Sequence, residues 1–154
     1  MIKVNVLIEN KAWRKHIRNP NSYLNSKLKK VEKKISIFKK NKLNFTLLLS
    51  GDSEIKKLNK KFRKKNKVTD ILSFPLQKKV RLKNKSYLGD IIISYNFMDK
   101  PKNQEIKLFK DKVIKTFIHG FLHLLGFDHI QLKDYKKMNK EEQKIYQSVI
   151  KRIY

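Results

Sequence analysis

Three of the chain's four histidines fall within one short stretch, His119-Gly-Phe-Leu-His123-Leu-Leu-Gly126-Phe-Asp128-His129. On a helix, His119 and His123 stand on the same face with side chains roughly 6 Å apart. That spacing lets two imidazoles share one metal ion. Gly126 then allows a sharp turn, which brings His129 back as a third nitrogen. Three neutral imidazoles leave a fourth position for water, the layout of a catalytic rather than a closed structural zinc site. Phe117, Phe121, Leu122, Leu124, Leu125 and Phe127 are expected to give that ion a dry shell. His16, the remaining histidine, has no ligand set near it in the sequence.

One position in the stretch argues against peptide hydrolysis. Zinc peptidases carry H-E-x-x-H-x-x-G-x-x-H, whose glutamate is the general base. Here that place is Gly120, and no other acid sits on the same helical turn.

The elements that must hold these residues follow from periodicity. Ile2, Val4, Val6 and Ile8 alternate, so residues 2–8 read as a strand, as do residues 43–49. Residues 22–40 have helical spacing, with Asn21 or Ser22 as the cap. Asp52 or Ser53 is expected to cap a second helix, on which Ile55, Leu58 and Phe62 form an apolar stripe opposite Lys56, Lys57, Lys60, Lys61 and Lys64. Thr69 to Phe74 reads as a strand stopped by Pro75, and Leu88 to Tyr95 as another, with Ile91, Ile92 and Ile93 suggesting burial on both sides. A lysine-rich loop near 78–86 is expected to be the most mobile segment. A long helix runs from about 103 to 125, stopped by Gly126, and a last one covers about 131–152. This order predicts one α+β (α/β) domain over residues 1–154, with a mixed, mostly parallel four-stranded sheet packed with helices and the three-histidine site on a central helix.

Composition sets wider bounds. The 154 residues carry 39 Lys+Arg against 13 Asp+Glu, a net charge of +26, yet 40% are hydrophobic and 10% aromatic. A chain of this size and composition builds a true core. With no cysteine, a disulfide scaffold and a thiolate zinc finger are excluded. The positive field attracts polyanions and weakens with salt, but abundant Lys, Asn and Ile are also what AT-rich codon usage produces. No signal peptide or apolar run long enough for a membrane span is visible, so a cytoplasmic location is expected.

Read as H-G-x-L-H-L-x-G-x-D-H, the stretch from His119 to His129 resembles the signature of the YbeY family of bacterial metal-dependent endoribonucleases, which act in ribosomal RNA maturation. Leu58-Asn-x-x-Phe62-Arg63 is similar to that family's helix ending in a functional arginine. Thr69-Asp70-Ile-Leu-Ser73-Phe74-Pro75 resembles its T-D-[VI]-L-S-F-P strand, and Leu88-Gly89-Asp90-Ile91 its L-G-D-I strand. Met138 followed by Glu142 is similar to its end. The resemblance spans about 43–150. Asn66 and Val68 depart from it where the family usually has Asp and Pro, in the loop that follows Arg63.

The resemblance places Arg63 beside the metal site, where a guanidinium can grip the scissile phosphate bidentately. Asp128 is expected either to orient an imidazole through its second nitrogen or to support the turn at Gly126. Glu142 lies on the apolar stripe of the last helix with Tyr135, Met138, Ile145 and Val149. There it can back a histidine or Arg63, or reach solvent at the edge. Asp70, Ser73 and Asp90 lie on strands that the resemblance brings near the cleft, with no catalytic role assigned. The resemblance implies a single-strand-specific endoribonuclease holding one Zn²⁺ through His119, His123 and His129, with Arg63 catalytic. It further implies action in late ribosome maturation, on the 3′ end of 16S rRNA and in ribosome quality control. The expected partners are ribosomal RNA and the ribosome or its small subunit, with no membrane and no DNA. The alternative is a ribosome-assembly or RNA-binding factor with a structural metal and little catalysis.

Overall fold

The computed structural model describes residues 1–35, 38–77 and 85–150. The lysine-rich loop expected near 78–86 falls mostly outside them. Four strands, β1 (Ile2–Ile8), β2 (Lys42–Ser50), β3 (Ile71–Pro75) and β4 (Lys85–Ser94), form one sheet in the order β1-β2-β4-β3. β1 and β4 each run parallel to β2, and β3 runs antiparallel to β4. The helices are α1 (Pro20–Lys34), α2 (Asp52–Arg63), α3 (Tyr95–Met98), α4 (Ile106–Leu124) and α5 (Leu132–Val149). The fold is therefore a single α+β domain with a mixed, mostly parallel sheet, as the sequence predicts.

Alternation along the strands divides the molecule into two apolar layers. Leu43, Phe45, Leu47 and Leu49 of β2 join Ile91 and Ile93 of β4 in the main core, beneath α1, α4 and α5. Ile92 points the other way and meets Ile55 and Leu72 in a smaller core under α2. Burial on both sides of the Ile91–Ile93 run follows from this two-sided cover.

Helix ends depart from the sequence reading where side chains found other partners. α1 starts two residues earlier than expected, because the Asn19 side chain accepts the Ser22 N–H (3.1 Å) and Pro20 suits the first turn. It ends at Lys34 rather than near 40. Asp52 does not cap α2; its carboxylate accepts from Ser94 Oγ (3.0 Å) and Asn96 Nδ2 (2.9 Å), tying α2 to the end of β4. α4 begins at Ile106, and Lys112 in its second turn donates to the carbonyls of Met98 and Lys100 in the segment before it. The one-turn α3 and a short 3-10 turn at Lys11–Lys15 gave no periodic signal. The turn delivers fully buried Trp13, whose indole donates to the Ser50 carbonyl (2.9 Å).

Candidate metal centre

α4 is the helix that carries the histidines, and its seat on the sheet depends on Gly120. A Cβ at that position would lie 2.6 Å from Ile71 Cδ1 and 3.1 Å from both Ile91 Cγ2 and Ser73 Oγ. Glycine thus lets the helix backbone lie directly on β3 and β4, and Ser73 Oγ donates to the Gly120 carbonyl (3.3 Å). The glutamate of a zinc peptidase would fit here only if Ile71 and its neighbours gave way. The apolar residues around the motif take the opposite side: Phe117, Phe121, Leu122 and Leu124 are buried in the main core. They support the helix from beneath and do not line the histidines, so the expected dry shell is a floor instead. Of that set only Phe127 reaches the cleft.

His119 and His123 sit one turn apart with ring centroids 4.7 Å from each other. α4 ends at Leu124, and Gly126 follows at φ +93°, in the region that favours glycine. The turn returns His129, whose ring centroid lies 5.5 Å from that of His119 and 5.0 Å from that of His123. One ring nitrogen from each of the three falls within 4.8 Å of the others, a group able to hold a metal ion.

Hydrogen bonding settles which nitrogens face inward. His123 Nδ1 lies 3.0 Å from the Phe127 carbonyl, which can only accept, so Nδ1 carries the hydrogen and Nε2 the lone pair. His119 Nδ1 lies 2.5 Å from Glu142 Oε1, and an ionised carboxylate sets the same tautomer there. The two Nε2 atoms then face each other at 3.1 Å. Two lone pairs at that separation repel unless a proton or a metal ion is shared between them. Neighbouring nitrogens of a tetrahedral zinc site are roughly 3.3 Å apart, given Zn–N bonds of about 2.0–2.1 Å. The donor set therefore fits a zinc-like ion. Burial, then the neighbouring His119, pushes the His123 pKa below its ordinary value, which favours the neutral form a metal needs.

The other residues singled out in the sequence divide clearly. Glu142, half-buried on α5, meets His119 rather than Arg63. Asp128 accepts the backbone N–H of His129 (2.6 Å), so it supports the turn that presents the third histidine. Arg63 ends α2 and lines the same cleft, of about 1180 Å³, as the three histidines. The loop after it is closed by buried Asn59, whose Nδ2 donates to the Lys67 carbonyl (2.9 Å), with Lys64 left-handed at the helix end. This closure spans the two departures at Asn66 and Val68. Asp70 and Ser73 also line the cleft, but Asp70 Oδ1 accepts from Ile71 N–H (2.8 Å) and Thr69 Oγ1 (3.2 Å) at the start of β3. Asp90 accepts from Tyr87 Oη (2.6 Å) and is not part of the lining.

Three lining residues, Lys115, Thr116 and Ile130, escaped the sequence reading. The signal for Lys115 was present: it stands four residues before His119, on the same stripe of α4. Its ammonium is held by Asp111 Oδ2 (3.1 Å), and Tyr146 of α5 donates to the other oxygen of that carboxylate. That bond pushes the Tyr146 pKa up to about 12.

Comparison with known proteins points one way. A family model described as "Endoribonuclease YbeY" matches residues 7–150. A protein named endoribonuclease YbeY from Pelagibacter ubique (strain HTCC1062) is 57% identical over 149 residues, covering 97% of each chain. One of the same name from Buchnera aphidicola subsp. Acyrthosiphon pisum (strain APS) is 40% identical over 121 residues, covering 79% of this chain and 77% of that one. A solution structure of a Thermotoga maritima protein superposes with a TM-score of 0.59 at 26% identity, covering 97% of this chain and 89% of that one.

Proposed function

The chain belongs to the YbeY endoribonuclease family, and from that premise we propose that it is a single-strand-specific, metal-dependent endoribonuclease. Its expected substrate is ribosomal RNA in late ribosome maturation, at the 3′ end of 16S rRNA and in quality control, on or near the small subunit in the cytoplasm. The observation that carries the catalytic reading is the convergence of two imidazole lone pairs and His129 in a cleft that Arg63 also lines.

In this reading His119, His123 and His129 hold one zinc ion. Bound there, zinc supplies a Lewis acid and lowers the pKa of a coordinated water. The chain's own residues do the rest. Glu142 and the Phe127 carbonyl fix the tautomers of His119 and His123, so that neither ring has to move its proton on binding. Arg63 grips the scissile phosphate from the end of α2 and offsets the charge that develops on it. Exposed His129 and the open cleft would leave a bound ion accessible to substrate, which favours catalysis over the purely structural metal of an assembly factor.

The test is elemental analysis of the purified protein alongside cleavage of a single-stranded RNA with and without chelator. We expect chelation to abolish cleavage and zinc to restore it; cleavage indifferent to metal removal would sink the mechanism. Arg63→Lys should keep its metal and fold while losing roughly a hundredfold in kcat/KM, the scale of losing one preorganised donor.

A further inference from the structure

The last turn of α2 holds a feature that the chemistry above leaves unused. Ile55, Leu58 and Phe62 share one stripe, yet burial fades along it: Ile55 is fully buried, Leu58 half-buried, and Phe62 is 58% exposed. A single exposed phenylalanine is ordinary. This one is held in place. Its ring tilts 59° against that of Phe74, with centroids 5.3 Å apart, and Phe74 is itself half-buried and packs against the smaller core under α2. Phe62, Arg63 and Phe74 line the same cleft as the three histidines. Lys61 Nζ lies over the Phe62 ring, 5.2 Å from its centroid, a contact an incoming base would displace, and Arg63, Lys64 and Lys65 follow on the exposed surface. The cleft therefore presents a braced aromatic ring, set among cations, next to the residue that grips phosphate.

Resting on the endoribonuclease reading, we propose that Phe62, braced by Phe74, is the platform on which an unpaired base beside the Arg63-bound phosphate stacks. An aromatic ring set among cations suits a strand that alternates flat bases with phosphates, whatever its sequence. A protein partner would meet the same cations without a phosphate to neutralise them, and the chain's net charge of +26 favours the polyanion. In a duplex both faces of each base are already covered by neighbours. A platform of this kind therefore selects single strands, and assigns that selectivity to one side chain.

Phe62→Leu keeps an apolar side chain while removing the aromatic face. With the metal-loaded protein and a short oligoadenylate, we expect Phe62→Leu to bind roughly 5- to 100-fold more weakly, with binding to an RNA duplex of equal length nearly unchanged. Phe62→Trp adds a direct signal, because the native Trp13 is fully buried and gives a quiet background. Read in the first seconds after mixing, its emission should be quenched by the oligoadenylate and not by the same strand with an abasic position. Unchanged affinity in Phe62→Leu, or equal quenching by the abasic strand, overturns the proposal and leaves the exposed ring to a protein partner. The two readings fail separately. Stacking without any cleavage removes the enzyme and keeps the platform, whereas cleavage that ignores Phe62→Leu does the reverse.

Discussion

An imidazole becomes a directed ligand only when its second nitrogen has an acceptor. Here a backbone carbonyl serves His123 and the Glu142 carboxylate serves His119. The spacing of the histidines announced the candidate ligand set, since four residues on a helix bring two side chains together wherever the helix lies. The role of Glu142 was open in sequence, because an acid on an apolar stripe has several possible partners. The contact between α4 and α5 decides among them. Glu142→Gln keeps the shape and weakens the acceptor, so we expect metal affinity to fall roughly 10- to 100-fold with the fold retained. Competition against a chelator of known affinity, with circular dichroism as control, measures it; unchanged affinity would return Glu142 to a surface role.

At the scale of the element, the seat of α4 on β3 and β4 does the positioning. Gly120 was read from sequence only as a missing glutamate, a chemical loss. Its neighbours show a steric reason as well, with Ile71 Cδ1 2.6 Å from the place of a Cβ. Gly120→Glu therefore creates no peptidase. It should push the Ile71 side chain aside and cost about 1–3 kcal/mol, the usual range for overpacking, with the added cost of burying a charge. Denaturant unfolding and a peptide-cleavage assay check both halves; a stable variant that cleaves peptides would refute the steric account. The same element shows why the shell of phenylalanines was misplaced. Nearness in sequence put Phe117 and Phe121 around the histidines, but the helical period turns them to the other side, into the main core.

For the whole molecule, the charge of +26 is a field, and we expect most of its lysines to be replaceable one at a time. Lys56, Lys57 and Lys60 lie on the exposed face of α2. Changing all three to glutamine should weaken RNA binding less than about tenfold and flatten its salt dependence slightly. Cleavage at saturating RNA should stay as it was. Titrations at several salt concentrations test this, and a collapse of saturated cleavage would show that one of the three lysines acts at the site.

Some of this was set along the chain, and some only by folding. Strand alternation, helical period, the glycine turn and the histidine spacing are local, so four strands, the main helices and three candidate ligands were legible before any contact was known. Helix ends were less legible, because Asn19, Asp52 and Lys112 each answer to groups brought near by folding or by a turn. What joined Glu142 to His119, Arg63 to the histidine cleft, and Phe62 to Phe74 is the packing of α2 and α5 around the sheet. Those pairs lie far apart in sequence, and no periodicity within one element encodes which face of another it will meet. The chemistry available was therefore written in residue types and spacing, whereas its assembly into one cleft was decided by tertiary packing.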